Sequence, residues 1–332
     1  MSNWAGDSQL IRGKVVDGYN LSIGEPQLLR EAMEFYYPRH YPADLSYPDT
    51  RPDPDLLREL RELHPEGEIV VTVGAKQALY AAVYALKQTQ EYKALWHREP
   101  YWPTYPTIAS YMGLSFNSGP PEAPGTIRVV TSPNNPDSHI ELGPYNTRTG
   151  FGVDIWDAAY ASELYGWCPD WTPNHRIGVW SAGKLLGNPG VRVGWLVTRE
   201  PALAAAATRY VEQTTSGVPT TSQYHVAATL RNIKNVRQDL IRTFKVRLSM
   251  NTAFFYGYLD DHVLSMESDY CNGGMFAWFK PTNPERFAAA LKAAKVTMVE
   301  GSAFGSPGFY RANLGLNQRE LQDAVLALSK EL

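Results

Sequence analysis

Cysteine is almost missing from this chain: its 332 residues include two, Cys168 and Cys271, about a hundred positions apart and with no paired Cys or His spacing around them. That excludes a disulfide framework, and no metal site is expected. A basic surplus is missing too, since 31 Lys and Arg stand against 34 Asp and Glu and no run of five or more Lys and Arg occurs. Nucleic-acid binding as the main activity needs such a surplus to neutralise phosphates, so no nucleic acid is expected as partner. Long apolar runs are also lacking. No stretch approaches the roughly 18 residues that span a bilayer, and the first residues hold no basic segment followed by an apolar core. The expectation is a cytoplasmic protein with no membrane partner. Internal repeats, low-complexity tracts and disordered linkers are likewise missing.

What is present is a globular composition, 44% hydrophobic and 20% charged, in a chain long enough to bury a large core. From residue 68 short apolar runs alternate with helical ones: 68–73, a helix over 75–88, 93–97, a helix over 103–112, then 126–132, 151–157, 176–181 and 193–198. These runs are rich in β-branched residues and end in turn residues, as buried strands do. The alternation predicts an α/β fold, a three-layer large domain around a mostly parallel sheet. A long helical stretch over 221–258 leads to a region of α+β character with runs at 273–280, 296–300 and 310–315, a helix near 284–294 and a last helix from Asn317. The expected organisation is an N-terminal arm with part of a small domain (1–44), a large domain (45–225) and a small C-terminal domain (226–332). The segment between Tyr36 and Pro54, rich in Tyr and Pro, reads as an irregular arm.

The most informative string runs from Ser181 through Lys184 to Arg192 and Trp195, between two buried strands. A lysine at a strand end, partly desolvated by Gly-rich chain, loses part of its affinity for a proton and becomes nucleophilic. Ser181 and Arg192 beside it are suited to a phosphate. A phosphate-binding P-loop competes for the same residues, because Gly178 to Lys184 satisfies G-x-x-x-x-G-K. Position 185 is Leu, however, where that loop needs a magnesium-binding hydroxyl.

Lys184 with Arg192 eight residues on resembles the lysine motif of the fold-type-I pyridoxal 5'-phosphate (PLP) enzymes, the aminotransferase class I/II superfamily. Further motifs follow that family's order over about residues 20–315. The resemblance implies PLP as cofactor, held on Lys184 as a Schiff base. It puts the phosphate at the turn Gly74-Ala75-Lys76, where a helix start offers free N–H groups. Trp102, within Pro100 to Tyr105, is the aromatic expected over the pyridine ring. Asn135, in Ser132-Pro-Asn-Asn-Pro-Asp137, and Tyr160, in Asp157-Ala-Ala-Tyr160, are expected at the phenolic oxygen. Asp137 and Ser138 stand where the family has Thr and Gly. Asp157 is expected at the pyridine nitrogen, keeping it protonated; Asp154, mid-strand, is the poorer candidate.

Near the C-terminus Tyr310-Arg311-Ala-Asn313-Leu-Gly315 resembles the strand whose arginine forks a substrate carboxylate, and Leu21 to Pro26 resembles a substrate-lining segment containing Gly24. Tyr47-Pro48-Asp49 resembles the Y-P-D of histidinol-phosphate aminotransferase-like members, whose tyrosine reaches the phosphate of a neighbouring subunit. A homodimer with a shared active site is implied. Catalysis is expected of Lys184, Asp157 and Tyr160, with transfer of an amino group from an amino acid to a 2-oxo acid. Ser-Pro-Asn-Asn-Pro-Asp and the Gly-Asn-Pro-Gly-Val-Arg tail also resemble the alliinase and tryptophan aminotransferase branch. The motifs therefore leave open a decarboxylase, a carbon–sulfur lyase or a PLP-binding sensor without turnover.

Overall fold

A computed structural model describes residues 18–40, 49–119, 124–140, 153–161, 175–265 and 274–332. Tyr47, Cys168 and Cys271 lie outside the described residues. In chain order the strands are β1 (Tyr19–Asn20), β2 (Glu68–Thr72), β3 (Ala94–Trp96), β4 (Ser115–Asn117), β5 (Thr126–Thr131), β6 (Val153–Asp157), β7 (His175–Ser181), β8 (Gly194–Thr198), β9 (Val263–Ser265), β10 (Phe276–Pro281), β11 (Val296–Thr297), β12 (Val299–Glu300) and β13 (Tyr310–Asn313). The helices are α1 (Gln27–Met33), α2 (Pro54–Leu63), α3 (Gly74–Lys87), α4 (Thr104–Tyr111), α5 (Ala182–Leu185), α6 (Pro201–Thr215), α7 (Thr220–Ile233), α8 (Arg237–Leu259), α9 (Pro284–Ala293) and α10 (Gln318–Ser329).

Seven strands form the main sheet in the order β2-β8-β7-β6-β5-β3-β4. As the alternation predicts, it is mostly parallel: only β8 runs against its neighbours β2 and β7. Both faces are covered, which is why the strand sequences are apolar throughout rather than alternating. Ile155, Val179 and Leu196 point to one side, into a core with the alanine-rich helices α3 and α6. Trp156, Trp180 and Trp195 point to the other, into a core shared with α8, α10 and the four-stranded antiparallel sheet β12-β13-β10-β9. Each fully buried Leu, Val or Phe on these faces contributes roughly 1.5–3 kcal/mol.

Three stretches differ from the sequence expectation. The run 221–258 is two helices, because the chain leaves the helix at Lys234–Val236 without a Gly or Pro to announce it. Local propensity is weak there, and tertiary packing sets the break. Residues 201–215, unassigned from sequence, form α6, whose alanines allow close approach to α3 but give little amphipathic contrast. The run 296–300 divides between two sheets, β11 pairing with β1 and β12 with β13. Among the described residues no helix is long and apolar enough to cross a membrane, and no group of three or more His, Cys, Asp or Glu is placed to hold a metal ion.

The parallel strands deliver their carboxyl ends to one edge of the sheet, and β8 begins at that same edge with Gly194. There the chain leaving the lysine loop passes so close to the start of α3 that a Cβ on Gly194 would lie 2.4 Å from the Ala75 nitrogen and 2.5 Å from the Gly74 carbonyl carbon. Neither backbone group can yield cheaply. Gly194→Ala is expected to destabilise the fold by ~3 kcal/mol, seen as a lower urea midpoint at unchanged slope. A parent-like midpoint would contradict this packing.

Candidate active site

Five loops leave the carboxyl edge of the main sheet or enter β8 there, and they enclose a cavity of about 130 Å³. The turn from β2 into α3 supplies one wall. Gly74 takes φ +78°, a left-handed conformation that favours glycine, and Ala75 and Lys76 behind it line the cavity. Gln77 fixes the turn by accepting from the Val73 nitrogen at 2.7 Å. Gly74 does not itself line the cavity; the Arg192 guanidinium lies against it, and a Cβ there would sit 2.5 Å from Arg192 Nη2. Arg192 holds φ +55° and donates from Nη1 to the Pro189 carbonyl at 3.1 Å. Ser181, the last residue of β7, lines the cavity beside it.

Lys184 rises from α5, a single turn, and its Nζ donates to the Gly24 carbonyl and stands 5.4 Å from the centre of the Tyr160 ring. Burial, reinforced by the charge of Arg311, pulls its pKa down to about 7. Tyr160 is buried edge-on against Phe276, and burial pushes its phenol well above the ordinary range. Asp157 ends β6. Its carboxylate accepts from the Tyr105 hydroxyl at 2.7 Å and from the Ala159 nitrogen at 3.0 Å, and burial raises its pKa to about 6. Asp154 does not line the cavity; it accepts from the Arg128 nitrogen at 2.9 Å. Trp102 lines the cavity, edge-on to Tyr105 and with Lys76 Nζ 5.2 Å from its ring centre.

Arg311 comes from β13 and is 1% exposed. Its Nη1 donates to Asn135 Oδ1 at 2.8 Å and its Nη2 to the Ser22 carbonyl at 2.6 Å. The guanidinium lies 4.4 Å from the Phe276 ring centre and 5.1 Å from that of Phe304. Nε is buried without a hydrogen-bond partner, and among the described residues no carboxylate pairs with this arginine. Burial lowers its pKa to about 10. A buried cation left uncompensated is costly, and an anionic ligand removes the cost.

The structure thus gathers Gly24, Asn135, Asp157, Tyr160, Lys184 and Arg311, with Ala75 and Lys76 of the turn into α3, around one cavity. A larger open groove of about 780 Å³, between α2 and α6, includes none of them, so volume is no guide to the chemistry here. Four further groups belong to the site without a motif that assigns them a role: Tyr105 and Thr131, which line the cavity beside Asp157, His97 beyond Thr131, and the Ser22 carbonyl at Arg311. His97 is the last residue of the run 93–97 and Thr131 the last but one of the run 126–132, at the carboxyl ends where ligands collect in such sheets.

The Alliinase_C family (Allinase) matches residues 62–258. Tryptophan aminotransferase-related protein 2 of Oryza sativa subsp. japonica is 30% identical over 207 residues, 55% of this chain and 40% of its own length. The chain thus spans less than half of that relative. Aspartate aminotransferase of Thermotoga maritima is 24% identical, with 93% of this chain and 90% of that protein covered. Among solved structures, a double mutant of Thermus thermophilus aspartate aminotransferase superposes with a TM-score of 0.78 at 21% identity, covering 100% of this chain and 97% of that one. The chain belongs to the alliinase family, within the fold-type-I PLP-dependent aminotransferase class I/II superfamily.

Proposed function

We propose that this protein is a PLP-dependent aminotransferase, moving an amino group from an amino acid to a 2-oxo acid. The observation that carries the reading is the charge of the cavity. Among the described residues, the side chains of Lys76, Lys184, Arg192 and Arg311 face a single carboxylate, Asp157. Such a site calls for a ligand with more than one anionic group, and a phosphorylated cofactor with an amino acid carboxylate supplies them.

The residues present fit PLP. Gly74 leaves room for Arg192 where any Cβ would intrude, so the α3 N-terminus, Ser181 and Arg192 would hold the phosphate together. Trp102 would cover the ring, Asn135 and Tyr160 would bind the phenolic oxygen, and Lys184 would hold the cofactor covalently through Nζ. When bound, PLP supplies a protonated ring that withdraws electrons from the amino acid α-carbon. Asp157 stabilises that ring charge with a carboxylate already held by Tyr105 and Ala159. Arg311 orients the substrate carboxylate, with Nε–H as a donor that nothing else occupies. Lys184, with an amine close to neutral, would take the α-proton on Nζ and hold it for return.

A relative named aspartate aminotransferase, 24% identical, and one named tryptophan aminotransferase-related, 30% identical, support transfer over decarboxylation, carbon–sulfur cleavage or a sensor without turnover. With PLP and a panel of amino donors and 2-oxo acids, the purified chain is expected to give equimolar new amino acid and 2-oxo acid with parallel double-reciprocal plots. Release of carbon dioxide, or of ammonia with pyruvate, would contradict transfer. In the same assay Arg311→Gln is expected to lower kcat/KM for the donor by roughly 100-fold or more, the cost of an unpaired buried charge.

We further propose a homodimer in which Tyr47 serves the phosphate of the neighbouring subunit. The Tyr-Pro-Asp resemblance at residues 47–49 supports it. Sedimentation velocity is expected to return twice the 37.1 kDa chain mass. A monomer retaining full turnover would contradict a shared site.

A further inference from the structure

From Asp157 a line of hydrogen bonds runs through Tyr105 and Thr131, which also line the cavity, to His97, which does not. The Tyr105 hydroxyl oxygen lies 2.7 Å from Asp157 Oδ2, and the Tyr105 and Thr131 hydroxyls bond to each other. His97 Nε2 lies 2.9 Å from Thr131 Oγ1, and His97 Nδ1 lies 2.7 Å from the Arg98 carbonyl oxygen. The order of the sheet builds this line. Strands β6, β5 and β3 are neighbours, Asp157 and Thr131 are register partners at the ends of β6 and β5, and His97 follows the last residue of β3. Tyr105, from α4, closes the gap between the first two. Exposure is 3% at Asp157, 0% at Tyr105, 5% at Thr131 and 1% at His97, so bulk water has little access to the line.

The Arg98 carbonyl can only accept, so His97 Nδ1 carries a proton. An ionised Asp157 can only accept as well. Four hydrogen bonds need four protons, while neutral His97, Thr131 and Tyr105 bring three. One more proton, on Asp157 or on His97, fills every bond, and the two placements differ only in the direction in which the hydroxyls point.

We propose that Asp157, Tyr105, Thr131 and His97 form a buried proton wire holding one extra proton, on Asp157 in the cofactor-free protein and on His97 when a cation in the cavity faces Asp157. The proposal rests on reading Asp157 as the partner of the cofactor ring nitrogen. In the shift, Asp157 passes its proton to Tyr105, Tyr105 passes its own to Thr131, and Thr131 passes its own to His97 Nε2. Three O–H bonds break, two O–H bonds and one N–H bond form, and Asp157 is left anionic with His97 cationic. Asp157 thus ionises opposite the ring while the wire as a whole stays neutral.

The surroundings set the resting position. Burial lowers the His97 pKa to about 4 and raises that of Asp157 to about 6, which favours the carboxyl end. The charged groups facing His97 are Arg98, which opposes its protonation, and Asp137, which supports it; these two pair at 3.1 Å. Lys184 and Arg311 share the cavity with Asp157. His97, which does not line the cavity, is therefore a positioning residue that acts on the cofactor through Asp157, while Tyr105 and Thr131 link the two from the cavity wall.

Side-chain nitrogen NMR of 15N-histidine-labelled protein tests this directly, at a pH between those two values and with the His97 signal assigned by His97→Gln. Cofactor-free protein is expected to show neutral His97 protonated on Nδ1. PLP-loaded protein is expected to show both nitrogens protonated. Thr131→Val should keep His97 neutral with PLP bound, and Thr131→Ser should restore the parent signal. Tyr105→Phe breaks the same line if Thr131→Val does not fold. An Nε2-protonated neutral tautomer without cofactor, a neutral His97 in the loaded parent, or a charged one in the loaded Thr131→Val protein would overturn the wire. Failure of PLP to bind at all would overturn the functional reading, while the cofactor-free tautomer still tests the wire by itself.

Discussion

Four cationic side chains around one buried carboxylate is the constraint on which the rest of this site depends. Cations so placed repel one another, and burial strips hydration from two of them, Lys184 and Arg311. The protein responds in two ways: Lys184 drops its pKa to about 7 and so can stand neutral, and Arg311 is clamped between two phenyl rings with a side-chain oxygen and a main-chain carbonyl at its nitrogens. Both responses suit the anionic ligand proposed for the cavity. A nucleophilic lysine and an anion-seeking arginine are thus two results of the same desolvation.

That arrangement exists because a mostly parallel sheet sends the ends of its strands to one edge. Asp157, Ser181 and the start of α3 reach the cavity from β6, β7 and β2, while Arg311 arrives from the second sheet on β13. The single antiparallel strand β8 has a part in this. It returns the chain from the lysine loop so closely past α3 that glycine is needed at 194, and Arg192 is thereby delivered onto Gly74. The wire behind Asp157 draws on the same topology, since three adjacent parallel strands bring a carboxylate, a hydroxyl and an imidazole to one level.

Much of this was legible in the residues. Apolar runs bounded by turn residues marked the strands, and the Lys184 to Arg192 interval, with Asn135, Asp157 and Arg311 in order, marked the cavity walls. What was not legible depends on contacts between distant segments. Nothing local in Thr131 or His97 says that they join a line to Asp157. Nothing in a run of alanines says that 201–215 packs on α3. The break at 234–236 lacks any punctuating residue, so only packing decides it. Long-range register, not local pattern, carried these features.

The central claim is that Lys184, and no other lysine, holds the cofactor. Borohydride fixes PLP irreversibly to the amine that it is bonded to, and peptide mass mapping then locates it. The account predicts a single adduct, on the peptide containing Lys184. An adduct on Lys76, the other lysine lining the cavity, or no adduct at all, would contradict it.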